Sequence, residues 1–246
     1  MVQRRSATVV LAVSLSIAAC AAPPARATTP AVGSQQSVTT AHGLTVTVRM
    51  ISPTAQEADL QIICLFKHKP DGDTYLEALK DFDDKLGGML TALRTRGEFV
   101  GELGETISFY APPKSIAAKR VLVIGLGEEA SLSLHTLEIV GRVALRETVR
   151  LEAQHVAFAP TIRDQGNATI DVGEGGRAVA ENVVLAYDTE KRLQAEGLSP
   201  QFDVTEWLIE AGPTYYPDVV TKVAEGVNAG DARIAKRSDE AYQRVP

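Results

Sequence analysis

The sequence has few of the residues that most often carry chemistry. Its 246 residues include two cysteines, four histidines and one tryptophan, and aromatic residues make up only 5% of the chain. Two cysteines cannot form the disulfide framework of a small secreted domain. The hydrophobic fraction of 45% is enough for one sizeable core, or for one core with an appendage.

Sequence motifs for metal binding and nucleophilic catalysis are also missing. No histidine belongs to an H-E-x-x-H pair, there is no G-x-S-x-G, and neither cysteine stands in a nucleophile motif. We therefore predict no catalytic residue, no metal site and no cofactor. The histidines, which we interpret as solvated or core-edge residues, are His42, His68, His135 and His155.

The chain begins like an exported protein. A basic start with Arg4 and Arg5 precedes an apolar run that is too short to span a membrane, so we predict a signal peptide at 1–19. The following "SIAAC" resembles the bacterial lipoprotein box, which implies a lipid on Cys20. The alternative is cleavage after Ala27. The lipoprotein interpretation predicts a periplasmic or cell-envelope location, with the membrane bound through Cys20.

The charge and composition of the next segment limit its partners and its structure. Cleavage before Cys20 removes two arginines and takes the formal net charge from −6 to −8. Such an acidic protein does not attract nucleic acid broadly, so we predict no nucleic-acid partner. Residues 20–42 are rich in Ala, Pro, Thr and Ser, which predicts a flexible linker. Cys64 lies in the apolar run "LQIICLF" and is predicted to be a core residue.

Strand and helix patterns alternate after the linker. Period-2 or continuous apolar runs predict strands in "GLTVTVRMI", "DLQIICLFK", "ETISFYAP", "RVLVIG", "HVAFAP" and "FDVTEWLIEAG". Apolar residues at steps of three and four predict helices over 75–93, 133–151, 176–195 and 216–236. This alternation predicts an α/β fold, with a parallel or mixed sheet flanked by helices on both faces. We place an α/β domain at 43–200 and a terminal strand and long helix at 201–246.

Polar and aromatic residues within these elements have simple structural interpretations. The acidic residues Asp81, Asp83 and Asp84 flank the apolar face of the first helix, which favours a solvated surface over a metal site. Trp207 is predicted to pack within or at the edge of the last strand, rather than to form a recognition surface with Tyr215 and Tyr216.

The stretch "RVLVIGLGEEA" ends in a G-x-G-x-x-A pattern and contains the only candidate ligand loop, Gly125, Gly127 and Glu128. A dinucleotide site needs an acidic residue at the tip of the next strand, where this chain has Ala159. Glu128 and Glu129 would also repel a phosphate. We therefore interpret the glycines as a tight turn between strand and helix.

Several strings, taken in order, resemble the amino-terminal domain of the M17 leucyl aminopeptidase family. A G-x-F-x-G-x-x-G-E entry precedes a strand, a second strand ending in G-L-G, and a helix with a central glycine before an alanine. The resemblance covers residues 59–236 and implies a macro-domain-like α/β fold. In the family this domain helps assembly and active-site access, whereas chemistry belongs to the carboxy-terminal domain. The residues are Gly97, Phe99, Gly101, Gly104, Glu105, Gly141 and Ala144.

The resemblance implies a protein that works through its contacts. The family's metal-binding and catalytic strings, N-T-D-A-E-G-R and V-G-K-G, occur nowhere in this chain. We therefore expect a non-catalytic protein that self-associates or pairs with a separate catalytic chain. Three alternatives stay open: a macro-like module for a small ligand or nucleotide, with no ligand identified; the front fragment of a split leucyl aminopeptidase; and an active aminopeptidase with ligands scattered in sequence.

Overall fold

The computed structural model of the protein describes residues 30–238 and 240–242, and it is built around one mixed sheet. The sheet order is β1-β2-β7-β6-β3-β5-β4, where β2, β7, β6, β3 and β5 are mutually parallel and both edge strands are antiparallel to their neighbours. The strands are β1 (Gln35–Thr39), β2 (Thr45–Arg49), β3 (Leu60–Leu65), β4 (Thr106–Tyr110), β5 (Arg120–Gly125), β6 (His155–Ala159) and β7 (Glu206–Glu210).

Helices cover both faces of the sheet, as predicted. The larger core lies between one face and three helices, which are α3 (Leu134–Arg150), α4 (Val172–Ala195) and α5 (Tyr216–Ile234). The smaller core lies on the other face, beneath α1 (Glu77–Lys85) and α2 (Met89–Thr95). The mixed α/β architecture and the continuous apolar strands β3 and β5 are therefore confirmed.

The single helix predicted over 75–93 is two helices. Gly87 and Gly88 both adopt positive φ, at 72° and 78°, which ends α1 and redirects the chain into α2. The apolar residues on both sides nevertheless pack into one core, with Leu86 and Leu90 among them. Apolar residues therefore recur at helical spacing on both sides of the break, which is why the sequence pattern did not predict it.

Asp83 corrects the prediction that the acidic cluster is solvated. Its carboxylate is buried and accepts hydrogen bonds from the Leu90 backbone N–H at 2.8 Å and the Thr91 hydroxyl at 2.6 Å, so it satisfies a free N–H group in the first turn of α2. Asp81 and Asp84 keep about half or more of their side chains exposed and pair with lysines one turn away. The outward orientation is thus confirmed for two of the three.

The boundaries of the folded unit also differ from the prediction. Residues 35–39, expected within a flexible linker, form β1 and pair with β2 through the full strand. The strand is polar and mostly exposed, so it lacks the alternating apolar pattern that predicts a strand. At the other end, β7 lies between β2 and β6, so the sheet does not divide at residue 200.

The predictions for the signal peptide at 1–19, for Cys20 and for Ala27 lie outside the described residues. Among the helices that the structure does describe, none has a stretch long and apolar enough to cross a bilayer.

Candidate functional site

The candidate site is a cleft at the carboxyl ends of the parallel strands. Segments 67–70, 128–132 and 167–169, which follow β3, β5 and β6, line a volume of about 530 Å³. Open α/β sheets bind ligands at this edge, where connections leave neighbouring strands in opposite directions. We refer to these residues as the cleft.

The chain beyond β6 closes the floor of the cleft against the end of β3. The Thr161 hydroxyl donates to the Cys64 carbonyl at 2.5 Å and accepts from the Cys64 N–H at 3.3 Å. The Gln165 amide oxygen accepts from the Phe66 N–H at 2.8 Å, and its amide nitrogen donates to the Cys64 carbonyl at 3.0 Å. These side chains satisfy backbone groups that no strand reaches. Cys64 itself is buried, as predicted, which raises the pKa of its thiol.

The glycine turn after β5 packs directly on the chain that precedes β4. Gly125 donates to the Glu105 carbonyl at 2.8 Å, and Gly127 donates to the Gly101 carbonyl at 2.9 Å. A β-carbon on Gly125 would lie 2.0 Å from the Glu102 carbonyl oxygen. Gly127 has φ of 75°, as a tight turn requires, whereas Gly125 is needed for close backbone approach. The prediction that glycine permits the turn through its backbone angles is confirmed for Gly127. At Gly125 the requirement is different: the neighbouring backbone leaves no room for a β-carbon.

Two charged side chains hold the loop at 97–105 in place. The Glu105 carboxylate accepts from the backbone N–H groups of Val100, Gly101 and Glu102, at 3.1, 2.6 and 3.0 Å. The buried Arg94 guanidinium donates to the Val100 carbonyl at 2.8 Å. The G-x-F-x-G-x-x-G-E string and the G-x-G string, separate in sequence, therefore form one structural unit.

Arg94 also fixes the wall of the cleft that follows β3. It donates to the Phe66 carbonyl at 2.6 Å and to Asp73 at 2.8 Å. Burial alone would raise the pKa of Asp73, but the hydrogen bonds from Arg94 and His68 outweigh it and hold this pKa below its usual value. The wall is thus anchored by a buried, hydrogen-bonded ion pair.

The charges on the rim of the cleft are paired with one another. Lys67 contacts Glu102 at 2.8 Å and Glu128 at 2.9 Å, and these hydrogen bonds raise its pKa. Lys69 contacts Glu129 at 2.6 Å, and this bond lowers the pKa of Glu129. Since each of these lysines already meets a carboxylate, the rim does not offer them freely to a phosphate.

The candidate loop, Trp207 and the histidines do not converge on one site. Of the candidate ligand loop, Glu128 lines the cleft, whereas Gly125 and Gly127 lie in the adjoining turn and do not line it. Trp207 is fully buried in β7, as predicted for a strand residue. Within residues 30–238 and 240–242, no three His, Cys, Asp or Glu side chains gather as metal ligands would. The histidines lie beside separate acids: His42 by Asp188, His68 by Asp73, His135 by Glu138 and His155 by Asp59.

A buried carboxylate that sequence reasoning missed joins three parts of the chain. Asp188 of α4 has no exposed side-chain surface and accepts from His42 at 2.7 Å, from Arg192 at 3.0 Å and from Arg237. Burial would raise the pKa of Asp188, and these three hydrogen bonds lower it instead. Only the i,i+4 spacing from Arg192 gave a signal in the sequence.

A second missed carboxyl group lies at the end of β7. Glu210 and Gln61 of β3 meet across β6, where the small residues Ala157 and Ala159 leave room on that face. The Gln61 amide donates to Glu210 at 2.9 Å. Within the described part of the chain, the other carboxyl oxygen has no hydrogen-bond partner. Burial raises the pKa of Glu210 to about 8, and the bond from Gln61 opposes this only in part.

Comparison with known sequences finds one family. Residues 62–196 match the model described as the cytosol aminopeptidase family, N-terminal domain. A probable cytosol aminopeptidase of Alkaliphilus oremlandii is 30% identical over 131 residues, covering 52% of this chain and 26% of that protein. A chloroplastic leucine aminopeptidase of Solanum tuberosum is 28% identical over 155 residues, covering 62% of this chain and 25% of that protein. The chain spans about a quarter of the length of these relatives.

Comparison with solved structures gives the same fold. A mutant of tomato leucine aminopeptidase matches with a TM-score of 0.52 and 19% identity, over 71% of this chain and 34% of that chain. A mutant macrodomain of Oceanobacillus iheyensis matches with a TM-score of 0.56 and 10% identity, over 79% of this chain and 94% of that chain. At these identities the likeness concerns the fold alone, and it confirms the predicted macro-domain-like architecture.

Proposed function

The chain belongs to the cytosol aminopeptidase family through that family's N-terminal domain, and we propose from this that it is a non-catalytic member acting through protein–protein contacts. Those contacts are self-assembly or pairing with a separate catalytic chain. The observation that supports the proposal is the family match itself, because it covers residues 62–196 and concerns the N-terminal domain. The paired charges of the cleft agree with it, since they are engaged in holding loops.

Peptidase assays test this proposal directly. We expect the purified full chain, supplied with manganese or zinc, to leave leucine anilide intact, while a complete cytosol aminopeptidase assayed beside it releases the amine. Light scattering of the chain alone, and after mixing with a catalytic chain of the family, measures the proposed contacts. Metal-dependent hydrolysis that copurifies with the chain would refute the non-catalytic role.

A macro-like ligand module is the second candidate function. The position of the cleft at the carboxyl ends of β3, β5 and β6 favours it. The carboxylates of Glu102, Glu128 and Glu129 oppose it for a polyphosphate, because they outnumber the lysines that they contact. Dose-dependent thermal stabilisation by ADP-ribose would favour this candidate over the first.

If the chain is instead the front fragment of a split leucyl aminopeptidase, the DNA immediately downstream encodes the catalytic strings.

We further propose that the protein is exported and anchored to the cell envelope by a lipid on Cys20. The support is the sequence alone: a basic start, a short apolar run and the "SIAAC" box. Mass spectrometry of protein extracted from membranes should find a mature chain that begins with a lipid-modified Cys20. A Cys20→Ser variant provides the control and should lose the lipid mass. An unmodified chain beginning at Thr28 would contradict the anchor.

A further inference from the structure

The strand β4 leaves one edge of the sheet open. It is the last strand in the sheet order, and among the described residues only β5 pairs with it. Its sequence, TISFY, contains no charge, no proline and no glycine. Natural sheets usually protect an exposed edge with a charge, a proline or a bulge, because free backbone groups recruit another strand. This edge has none of those protections within the strand.

The backbone groups that point outward can be assigned from the flanking hydrogen bonds. The Glu105 carbonyl accepts from Gly125, and the Ala111 N–H donates to Lys119, so odd-numbered residues of β4 face β5. Because the direction alternates along an antiparallel strand, Thr106, Ser108 and Tyr110 present their N–H and C=O groups to the outside. Ser108 lies at the centre of this free ladder.

Exposed apolar side chains concentrate at the same edge. Three of the eight large apolar side chains that are most exposed in the described residues are Val100, Leu103 and Tyr110, which belong to β4 or the loop before it. Tyr110 is 69% exposed. Ile107 and Phe109 are only half-buried against the smaller core. A strand added at this edge would cover apolar surface as well as the backbone.

We propose that the occupant of this edge is a second copy of the chain, paired antiparallel through β4. This inference rests on the proposed function, and it names the surface through which self-assembly occurs. With Ser108 opposite Ser108 of the second copy, Thr106 lies opposite Tyr110, and every outward backbone group meets an outward group, giving about six hydrogen bonds. The two-fold axis is then perpendicular to the sheet, which keeps the smaller cores on the same face.

Charge complementarity supports a second copy rather than a foreign strand. The chain before β4 carries Glu102, and the chain after it carries Lys114 and Lys119, all with exposed side chains. The antiparallel pairing places the end of β4 that carries Glu102, which also contacts Lys67, beside the end that carries Lys114 of the second copy. The two-fold axis repeats this approach of opposite charges at the other end. The edge is thus complementary to itself in hydrogen bonding, apolar surface and charge.

Sedimentation of the full chain in density-matched detergent tests the pairing. We expect a dimer with a dissociation constant in the micromolar range, about 1–100 µM, as suits a small interface. Ser108→Pro removes an outward N–H and leaves the β4–β5 ladder intact, so it should raise the constant at least tenfold. Ser108→Lys and Ser108→Glu should each do the same, because like charges then face each other across the axis. An equimolar mixture of these two variants should recover the dimer.

Ser37→Pro provides the matched control at the opposite edge. Ser37 is the central residue of β1, and the bonds Thr40 N–H to Leu44 and Met50 N–H to Ser34 show that its own N–H points outward. The Ser37→Pro variant should dimerise with the same dissociation constant as the wild type. A wild-type chain that stays monomeric at about 200 µM, a Ser108→Pro chain that still dimerises, or a Lys–Glu mixture that fails to pair overturns the β4 dimer. The peptidase assay tests the proposed function separately. Metal-dependent hydrolysis would refute the non-catalytic role without affecting the evidence for the dimer.

Discussion

Replacing Gly125 by alanine is expected to lower the free energy of unfolding by about 3 kcal/mol or more. The new β-carbon would lie 2.0 Å from the Glu102 carbonyl oxygen and 2.7 Å from the Gly101 carbonyl carbon. Both clashing atoms belong to the backbone, so the clash cannot be relieved by a change of side-chain rotamer. Gly125 is itself held by hydrogen bonds to Gly104 and Glu105 and by its register with Leu65. The substitution must therefore separate the loop from the sheet.

Urea unfolding of Gly125→Ala beside Gly212→Ala measures this effect. Gly212 has no atom within 4 Å of the position of a β-carbon, and its φ lies outside the left-handed region. Alanine there should change the stability by no more than about 0.5 kcal/mol. Equal stability of the two variants would show that the loop at 97–105 can leave the sheet without cost, contrary to the packing described above.

Replacing Glu210 by glutamine is expected to stabilise the protein above neutral pH. Burial raises the pKa of Glu210 to about 8 in the folded chain, against 4.5 for an ordinary glutamate. Between these values the unfolded chain has released the proton and the folded chain has kept it. The free energy of unfolding therefore falls as pH rises from about 4.5 to 8, by an amount on the order of a few kcal/mol. Glutamine cannot ionise, so the variant loses this dependence.

The neighbours of Glu210 explain why its charge is not compensated. Arg49 is its Cα partner on β2, but the Arg49 guanidinium donates to Gln35 and Gln56 instead. Gln61 provides the one hydrogen bond to the carboxyl group that the described residues contain. An ionised Glu210 would thus be buried without a cation, which costs several kcal/mol in proteins.

Denaturant unfolding from pH 5 to 9 measures the difference between Glu210→Gln and the wild type. Because other groups titrate in the same range, the difference between the two curves is the result that matters. Glu206→Gln removes a carboxyl group from the same strand at a half-buried position and serves as the control. Parallel curves for the wild type and Glu210→Gln would show that the carboxyl group is not protonated in the folded chain.

Local patterns predicted most of the sheet and failed where tertiary contacts decide the structure. The apolar runs of β3 and β5 identified central strands because burial on both faces demands such runs. The polar strand β1 has no such demand, since it lies at an edge, and it was missed. The break at Gly87 and Gly88 was missed because the apolar spacing fits a single core on both sides of it.

The candidate site was predicted less well, because its contacts join residues distant in sequence. Lys67 meets Glu128, and Gly125 meets the chain at residues 101–102, only after the sheet has brought these segments together. Asp83 was predicted to be solvated from its side of the helix, whereas it is buried by the turn into the next helix. The buried pair of Glu210 and Gln61 depends on two small residues of the strand between them, which no local pattern reveals.

The position of β7 also sets the order in which the sheet can be completed. Among the described residues, the hairpin of β1 and β2 pairs with the rest of the sheet through β7 alone, and β7 comes about 160 residues later in the chain. Parallel pairing over such a separation is slow, because the intervening chain must be ordered first. During synthesis the hairpin can therefore join the sheet only after β7 has been made.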